Sequence, residues 1–207
     1  MPPHGHPIFA ALYDVFCRYI DKRGLARYRE KAAGGATGRV IEIGAGTGRN
    51  FSFYRSIERL TATEPDPHMK SRAVRKTRGL SFPILILPDR AEALSLPDRS
   101  ADSVVATLVL CTVSDPAAAL SEVRRVLTPE GRFRFVEHVR AAGPRLARFQ
   151  DFILPLHRRI AAGCHPNRDT VALIEREGFT LVELERFPLG PTWVRPHVFG
   201  VAVPRPR

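Results

Sequence analysis

The chain has 207 residues, of which 44% are hydrophobic and 26% charged, a composition typical of a single soluble domain. No apolar run approaches the roughly 20 residues that a membrane-spanning helix needs, so we expect no such helix. The formal net charge of +11 would suit a nucleic-acid or anionic-membrane partner, but 28 of the 32 basic residues are arginines spread along the chain without a basic tail, which argues against nucleic-acid binding.

The first 38 residues form a predicted helical extension. Apolar residues between Ile8 and Ile20 recur at helical spacing, and a second short helix is predicted over 25–33, before the glycine-rich run 34–38. The opening residues 1–7 lack a basic region leading into an apolar core, so no signal peptide is expected. We therefore divide the chain into an extension or lid, 1–38, and a main domain, 39–207.

In the main domain, short apolar strands alternate with amphipathic helices. The predicted strands cover 40–43, 60–64, 83–87, 102–110, 131–139, 179–187 and 194–203, and the last two could pair as a hairpin. The predicted helices cover 49–56, 65–78, 116–127, 145–160 and 168–177. Asp66 and Pro67 provide an N-cap and first residue for one helix, and Gly178 ends another. The alternation predicts a Rossmann-like α/β fold with a doubly wound, mostly parallel, seven-stranded sheet.

A glycine-rich turn follows the first predicted strand and carries glycines at 44, 46 and 48. Glycine lets the backbone turn sharply and approach a ligand closely. A dinucleotide fingerprint is Gly-x-Gly-x-x-Gly, whereas here Arg49 occupies the position of the third glycine. The spacing therefore argues against a nicotinamide or flavin cofactor.

Glu64 ends the second predicted strand, one strand after the glycine turn. In this fold class the carboxyl ends of the parallel strands line the ligand crevice. A carboxylate there can accept hydrogen bonds from both ribose hydroxyls of an adenosine. We therefore predict that Glu64 binds a ribose.

Several segments, in this order, resemble the class I methyltransferases that use S-adenosylmethionine (SAM). They are 40–50, 64–66, 96–104 and 122–131. Further segments, 50–54, 108–113, 135–139 and 163–164, are similar to the methyltransferase-like thiol S-methyltransferases. The resemblance implies SAM as cofactor, S-adenosylhomocysteine as product, and a small-molecule acceptor that is a thiol or a lipid- or quinone-like compound.

The resemblance also implies the residues of the donor site. Those implied for the methionine moiety are Glu42, Gly44, Ala45 and Gly46. Glu64 would bind the ribose, Ala91 and Glu92 the adenine, and Leu108 would lie against the donor. The remaining candidates near the glycine turn are Gly48, Asn50 and Pro65. In this family an Asp usually precedes the Ala at position 91, whereas this chain has Arg90, with Asp89 one place earlier.

Two histidines are candidate catalytic bases. Methyl transfer from a sulfonium is an in-line displacement, so the protein mainly aligns the reactants, and a base can take a proton from the acceptor. His138 is predicted near the carboxyl end of the fifth strand, and His165 in a loop that could cap the site. For both, a hydrogen-bonded structural histidine is the alternative.

The three cysteines, Cys17, Cys111 and Cys164, are odd in number and far apart. This pattern predicts neither a disulfide framework nor a structural zinc site, and it suits the reducing cytoplasm. Cys111 is predicted to be a buried small residue. We expect no bound metal and a cytoplasmic location.

Aromatic residues provide a candidate acceptor pocket or lid. Phe149, Phe152 and Trp193 would join the apolar stripe of the first helix, or else form ordinary core. An exposed stripe would favour peripheral membrane contact, aided by the positive charge. The sequence leaves open an RNA or protein methyltransferase, a non-catalytic SAM-binding module and, more remotely, a nicotinamide oxidoreductase. It makes no prediction of oligomeric state.

Overall fold

The computed structural model describes the backbone of residues 7–206 and the side chains of residues 14–206. The helices are α1 Pro7–Ile20, α2 Ala26–Gly34, α3 Pro67–Arg75, α4 Pro116–Val126, α5 Pro144–Ile160 and α6 Thr170–Arg176. The strands are β1 Gly38–Ile43, β2 Ile57–Thr63, β3 Ile84–Leu87, β4 Ala101–Thr107, β5 Leu127–His138, β6 Phe179–Pro188 and β7 Pro196–Pro204. Within the described part of the chain, no helix is both long and apolar enough to cross a bilayer.

The seven strands form one sheet in the order β3-β2-β1-β4-β5-β7-β6. The five strands from β3 to β5 are parallel, and β7 runs antiparallel to both β5 and β6. This confirms the predicted α/β sheet and the predicted pairing of the last two strands. Because the chain leaves β1 in one direction to build β2 and β3 and later returns to build β4, the switch point lies between β1 and β4. In such sheets the ligand crevice opens there.

Strand β4 lies at the centre of the core and is buried on both faces, as predicted. Val104 packs in one layer with Leu120 of α4, and Val105 packs in the opposite layer with Ala32 of α2. Side chains alternate along a strand, so one central strand contributes to both layers. The extension 1–38 therefore supplies part of the core through α2, although its division from the main domain stays a prediction.

The prediction of a helix over 49–56 was wrong. Residues Phe51–Phe53 form a single 3-10 turn, and Tyr54 is already extended. The Tyr54 hydroxyl donates to Glu42 at 2.8 Å, and β2 begins at Ile57, so the segment has no length for a second helical turn. The Tyr54–Glu42 contact and the start of β2 therefore outweigh the local helical pattern.

Strand β4 also ends earlier than the predicted 102–110. Leu108 has φ +58°, a left-handed conformation that a non-glycine residue rarely adopts. Its N–H donates to the carbonyl of Val136 in β5 at 2.8 Å, which holds this conformation. The chain therefore turns at Leu108, at the carboxyl edge of the sheet.

Candidate active site

The glycine turn after β1 lies at the switch point. Gly44 has φ +60°, and a Cβ at this position would lie 2.7 Å from Val109 Cγ2, so both conformation and space require glycine. Gly46 has φ +57°, and its N–H donates to Glu64 Oε2 at 2.8 Å. The carboxylate after β2 thus holds the turn after β1.

Glu64 is 8% exposed, and its other carboxylate oxygen accepts from the N–H of Asp66 at 2.8 Å. Burial raises the pKa of Glu64, while the two backbone hydrogen bonds oppose that rise. A carboxylate has about four acceptor sites, so these two bonds leave acceptor capacity for two hydroxyls. This arrangement suits the predicted ribose contact.

A buried polar network supports the turn from below. Glu42 accepts from Asn50 Nδ2 at 3.0 Å and from the Tyr54 hydroxyl, and Asn50 also bonds Thr107 and Arg29. Burial raises the pKa of Glu42 to about 7. Glu42 and Asn50, both predicted donor-site residues, are therefore joined in the protein interior, where they hold β1, the turn and the end of β4 together.

The N-terminal extension reaches the same turn. Asp14 of α1 accepts from the Thr47 hydroxyl at 2.6 Å and pairs with Lys76 at the end of α3 at 3.4 Å. Arg49 forms an ion pair with Asp21, in the π-helical turn after α1. Helix α1 thus lies against the glycine turn, and its role as a lid stays a prediction.

The predicted adenine residues follow β3 at the same edge of the sheet. Ala91 is buried, and Glu92 accepts from the Ser114 N–H at 3.0 Å and from Arg90 at 3.1 Å. Asp89 accepts from the backbone and hydroxyl of Ser95, so it maintains the local turn. Of the remaining candidates near the glycine turn, Gly48 is buried and Pro65 is exposed. The donor contacts of these residues stay predictions.

A second buried carboxylate holds the loop after β4, and sequence reasoning gave it no role. Glu137, in β5, accepts from the N–H groups of Val109, Leu110 and Cys111 at 2.8, 2.8 and 3.2 Å. Its side chain is fully buried, and burial raises its pKa to about 7. Arg168 donates to the Leu110 and Val113 carbonyls of the same loop. These contacts fix the backbone beside Leu108.

Two cysteines and a histidine converge next to this loop. The ligand atoms of Cys111, Cys164 and His138 all lie within 4.8 Å of one another, and Cys164 Sγ lies 3.4 Å from His138 Nδ1. The hydrogen bond from Cys111 lowers the pKa of the Cys164 thiol. The sequence spacing of the cysteines did not indicate this cluster, because sheet order and one loop bring them together.

The two predicted catalytic histidines lie in this region. His138 ends β5 and packs against His197, with ring centroids 4.4 Å apart. The backbone N–H of His165 donates to the Cys111 carbonyl at 2.7 Å. The buried ring nitrogen Nδ1 of His165 has no hydrogen-bond partner within residues 14–206. Burial lowers the pKa of His165. The structure thus places both histidines beside the loop that carries Leu108.

This sheet, its glycine turn at the switch point and the carboxylate after β2 define a class I SAM-dependent methyltransferase. A family model described as a methyltransferase domain matches residues 41–135. Human thiol S-methyltransferase TMT1B is 37% identical over 181 residues, which cover 84% of this chain and 74% of that protein. The chain therefore belongs to the SAM-dependent methyltransferase family that contains the TMT1 thiol S-methyltransferases, and it transfers methyl groups to a small-molecule acceptor.

More distant relatives agree with this assignment. Phosphatidylethanolamine N-methyltransferase of Cereibacter sphaeroides is 32% identical over 123 residues, or 55% of this chain and 61% of that protein. Among solved structures, the complex of DhpI with SAH superposes with a TM-score of 0.67 at 22% identity, covering 97% of this chain and 94% of that one. The structural match supports the fold.

Proposed function

We propose that the methyl acceptor is a small thiol. The observation that carries this proposal is the 37% identity to a thiol S-methyltransferase over 84% of the chain. In the reaction, the acceptor sulfur loses its proton and attacks the methyl carbon of SAM in line, which yields a methyl thioether and S-adenosylhomocysteine. The protein contributes alignment and a proton acceptor.

The donor would lie over the glycine turn, with the ribose on Glu64 and the methionine moiety toward Leu108. Support comes from the free acceptor capacity of Glu64 and from the position of Leu108 at the adjoining strand end. The acceptor would then approach from the side of β5, where His138 and His165 lie. His138 Nδ1 lies against Cys164 Sγ, whereas His165 Nδ1 has no hydrogen-bond partner within residues 14–206. We therefore assign to His165 the role of accepting the proton of the acceptor thiol.

The acceptor class is tested with three small molecules of matched size: 2-mercaptoethanol, ethanolamine and ethylene glycol. Each is incubated with SAM and the purified chain, and S-adenosylhomocysteine formation is measured together with the methylated product. We expect turnover with the thiol alone. Turnover with ethanolamine, or with phosphatidylethanolamine vesicles, but not with the thiol would refute the proposal. Turnover only in the presence of RNA or polypeptide, falling steeply with salt, would instead support an RNA or protein methyltransferase, the alternative suggested by the net positive charge.

We also propose that the protein contacts an anionic membrane peripherally. Four large apolar side chains form one exposed stripe along α5: Phe149, Phe152, Leu156 and Ile160. Phe152 is 79% exposed, so the alternative of ordinary core does not hold for it. The same helix carries several exposed arginines, which would attract anionic headgroups. The cytoplasmic location stays a prediction.

Helix α1 adds three exposed apolar residues, Val15, Phe16 and Tyr19, while its earlier stripe positions lie outside the described side chains. Co-sedimentation with phosphatidylserine-containing vesicles at low salt tests the membrane proposal. We expect binding to fall in Phe152→Ser/Ile160→Ser and to persist in Val74→Ser, a control at an exposed apolar position of α3. If the double variant binds vesicles as the wild type does, or if the wild type stays in the supernatant, this contact surface is ruled out.

A further inference from the structure

The cluster of Cys111, Cys164 and His138 combines three good metal ligands at one point. Cys111 is 1% and Cys164 6% exposed, and all three ligand atoms lie within 4.8 Å of one another. Within the described residues, this is the group of cysteine, histidine and acidic side chains placed closely enough to hold a metal ion. Neither the glycine turn nor the predicted donor contacts use it.

The distances suit a tetrahedral zinc ion. With Zn–S bonds of about 2.3 Å and a Zn–N bond of about 2.0 Å, tetrahedral angles place sulfur and nitrogen about 3.5 Å apart and two sulfurs about 3.8 Å apart. The observed separation of Cys164 Sγ and His138 Nδ1 is 3.4 Å. The two separations that involve Cys111 are no more than 4.8 Å, so the three ligand atoms lie close to the arrangement of a three-ligand site.

The backbone around the ligands is fixed by contacts that do not involve their side chains. The His165 N–H donates to the Cys111 carbonyl, and the Glu137 carboxylate accepts from the Cys111 N–H. Arg168 binds the carbonyls on either side of Cys111, those of Leu110 and Val113. The protein thus brings the two sulfurs together by its fold, which is how a preformed metal site is built.

A second buried group points to a ligand here. His157 is 8% exposed and its ring faces the Cys164 thiol, which it helps to ionise, but its Nε2 reaches no acceptor at full hydrogen-bond geometry within residues 14–206. The Trp193 indole N–H donates to His157 Nδ1 at 3.4 Å, so Nε2 carries the proton of the neutral ring. A buried N–H without an acceptor is costly, and a metal-bound thiolate would supply an acceptor.

We propose that Cys111, Cys164 and His138 bind a zinc ion and leave one coordination position open. Two thiolates and a neutral imidazole balance the charge of Zn²⁺, which a buried site requires. A disulfide between the cysteines would instead remove the thiolate that faces both His138 and His157. Two cysteines, a histidine and an open position form a set that is known from catalytic zinc sites.

The open position suits the acceptor, and this part of the inference rests on the proposed thiol acceptor. A thiol would displace the metal-bound water, lose its proton to solvent or to His165, and remain on zinc as a thiolate. That sulfur would lie at the carboxyl edge of the sheet, near Leu108, the residue predicted to lie against the donor.

Zinc binding is tested on the full chain after dialysis against a chelator, by titration with Zn²⁺ in competition with a chromophoric chelator. We expect one zinc per chain, and an affinity at least about 100-fold lower in Cys111→Ser, Cys164→Ser and His138→Gln. Cys17→Ser is the matched control and should bind as the wild type does. With Co²⁺ in place of zinc, we expect a sulfur-to-metal charge-transfer band that the two cysteine variants weaken.

A wild type that binds SAM but takes up no zinc would overturn the site, as would unchanged affinity in the three ligand variants. A Cys111–Cys164 disulfide in protein purified with Zn²⁺ present throughout would also overturn it. If zinc binds but thiol methylation survives its complete removal, the open-position role is wrong and the site stands. If zinc binds and no thiol is methylated, the proposed acceptor fails independently of the metal site.

Discussion

Two glutamates at the carboxyl edge of the sheet use the same chemistry for different ends. Glu64, after β2, accepts backbone N–H groups from the turn after β1 and from Asp66. Glu137, in β5, accepts three consecutive N–H groups of the loop after β4. Each carboxylate thus holds the loop that follows a neighbouring strand.

The difference between them lies in what remains free. Glu64 makes two such bonds and is 8% exposed, whereas Glu137 makes three and is fully buried. The first therefore keeps acceptor capacity for a ligand, while the second is committed to the protein. A carboxylate at a strand end in this fold is thus a ligand-binding candidate only when its hydrogen bonds leave it open to the crevice.

The largest effect should come from Glu137→Ala. It leaves three buried N–H groups without an acceptor, so we expect a loss of about 3 kcal/mol or more in the free energy of unfolding. Glu137→Gln keeps one carbonyl oxygen for two of the three donors and should lose about half as much. Urea unfolding measures both. An alanine variant as stable as the wild type would show that Glu137 does not stabilise the loop after β4.

Glu64→Ala should act mainly on the donor. We expect SAM and S-adenosylhomocysteine to bind about 100-fold more weakly, because two charged hydrogen bonds to the ribose are lost. Glu58→Ala, at an exposed position of β2, is the control. Calorimetric titration gives the affinities. Unchanged binding by a folded variant would show that Glu64 serves only its loop, as Glu137 does.

Glu42→Gln sharpens the comparison through pH. Because the pKa of Glu42 is raised to about 7 in the fold, the folded state binds more protons than the unfolded state, and this contribution to stability falls as pH rises from about 5 to 7. Glutamine can still accept from Asn50 and donate to Tyr54. We expect the variant to lose about 2 kcal/mol less than the wild type over that interval. If the free energy of unfolding fell by the same amount between pH 5 and 7 in the variant and the wild type, the raised pKa of Glu42 would be contradicted.

The smallest effect is expected for His165→Asn, which tests the proton acceptor on the β5 side. A thiol is already partly ionised near neutral pH, so we expect kcat with 2-mercaptoethanol to fall only about 10-fold. Thiophenol ionises more readily and should be affected much less. Equal losses with both thiols would indicate that His165 positions the loop rather than takes up a proton.

Much of the donor side could be predicted from the sequence. Its signals are local: a strand with hydrophobic periodicity, glycines at 44, 46 and 48, and Glu64 at the end of the next strand. The left-handed φ angles of these glycines agree with the sharp turn that the sequence predicts, and the Gly46–Glu64 bond shows that Glu64 lies beside it, while the ligand contacts stay predictions. Backbone conformation depends strongly on nearby residues, and the sheet order of this fold class then brings adjoining strand ends together.

The β5 side was decided by the tertiary structure. Cys111 and Cys164 lie far apart in the chain, and no spacing rule predicts that a loop hydrogen bond places their sulfurs beside His138. The segment 49–56 shows the same limit. Its local pattern favours a helix, but the start of β2 and the hydrogen bond from Tyr54 to Glu42 leave room for only one 3-10 turn. The sequence by itself determined the order of elements and the glycine turn, because these follow from short-range propensity. Only the packed sheet determined which distant side chains meet, because contact between distant residues depends on how the strands and loops are arranged in space.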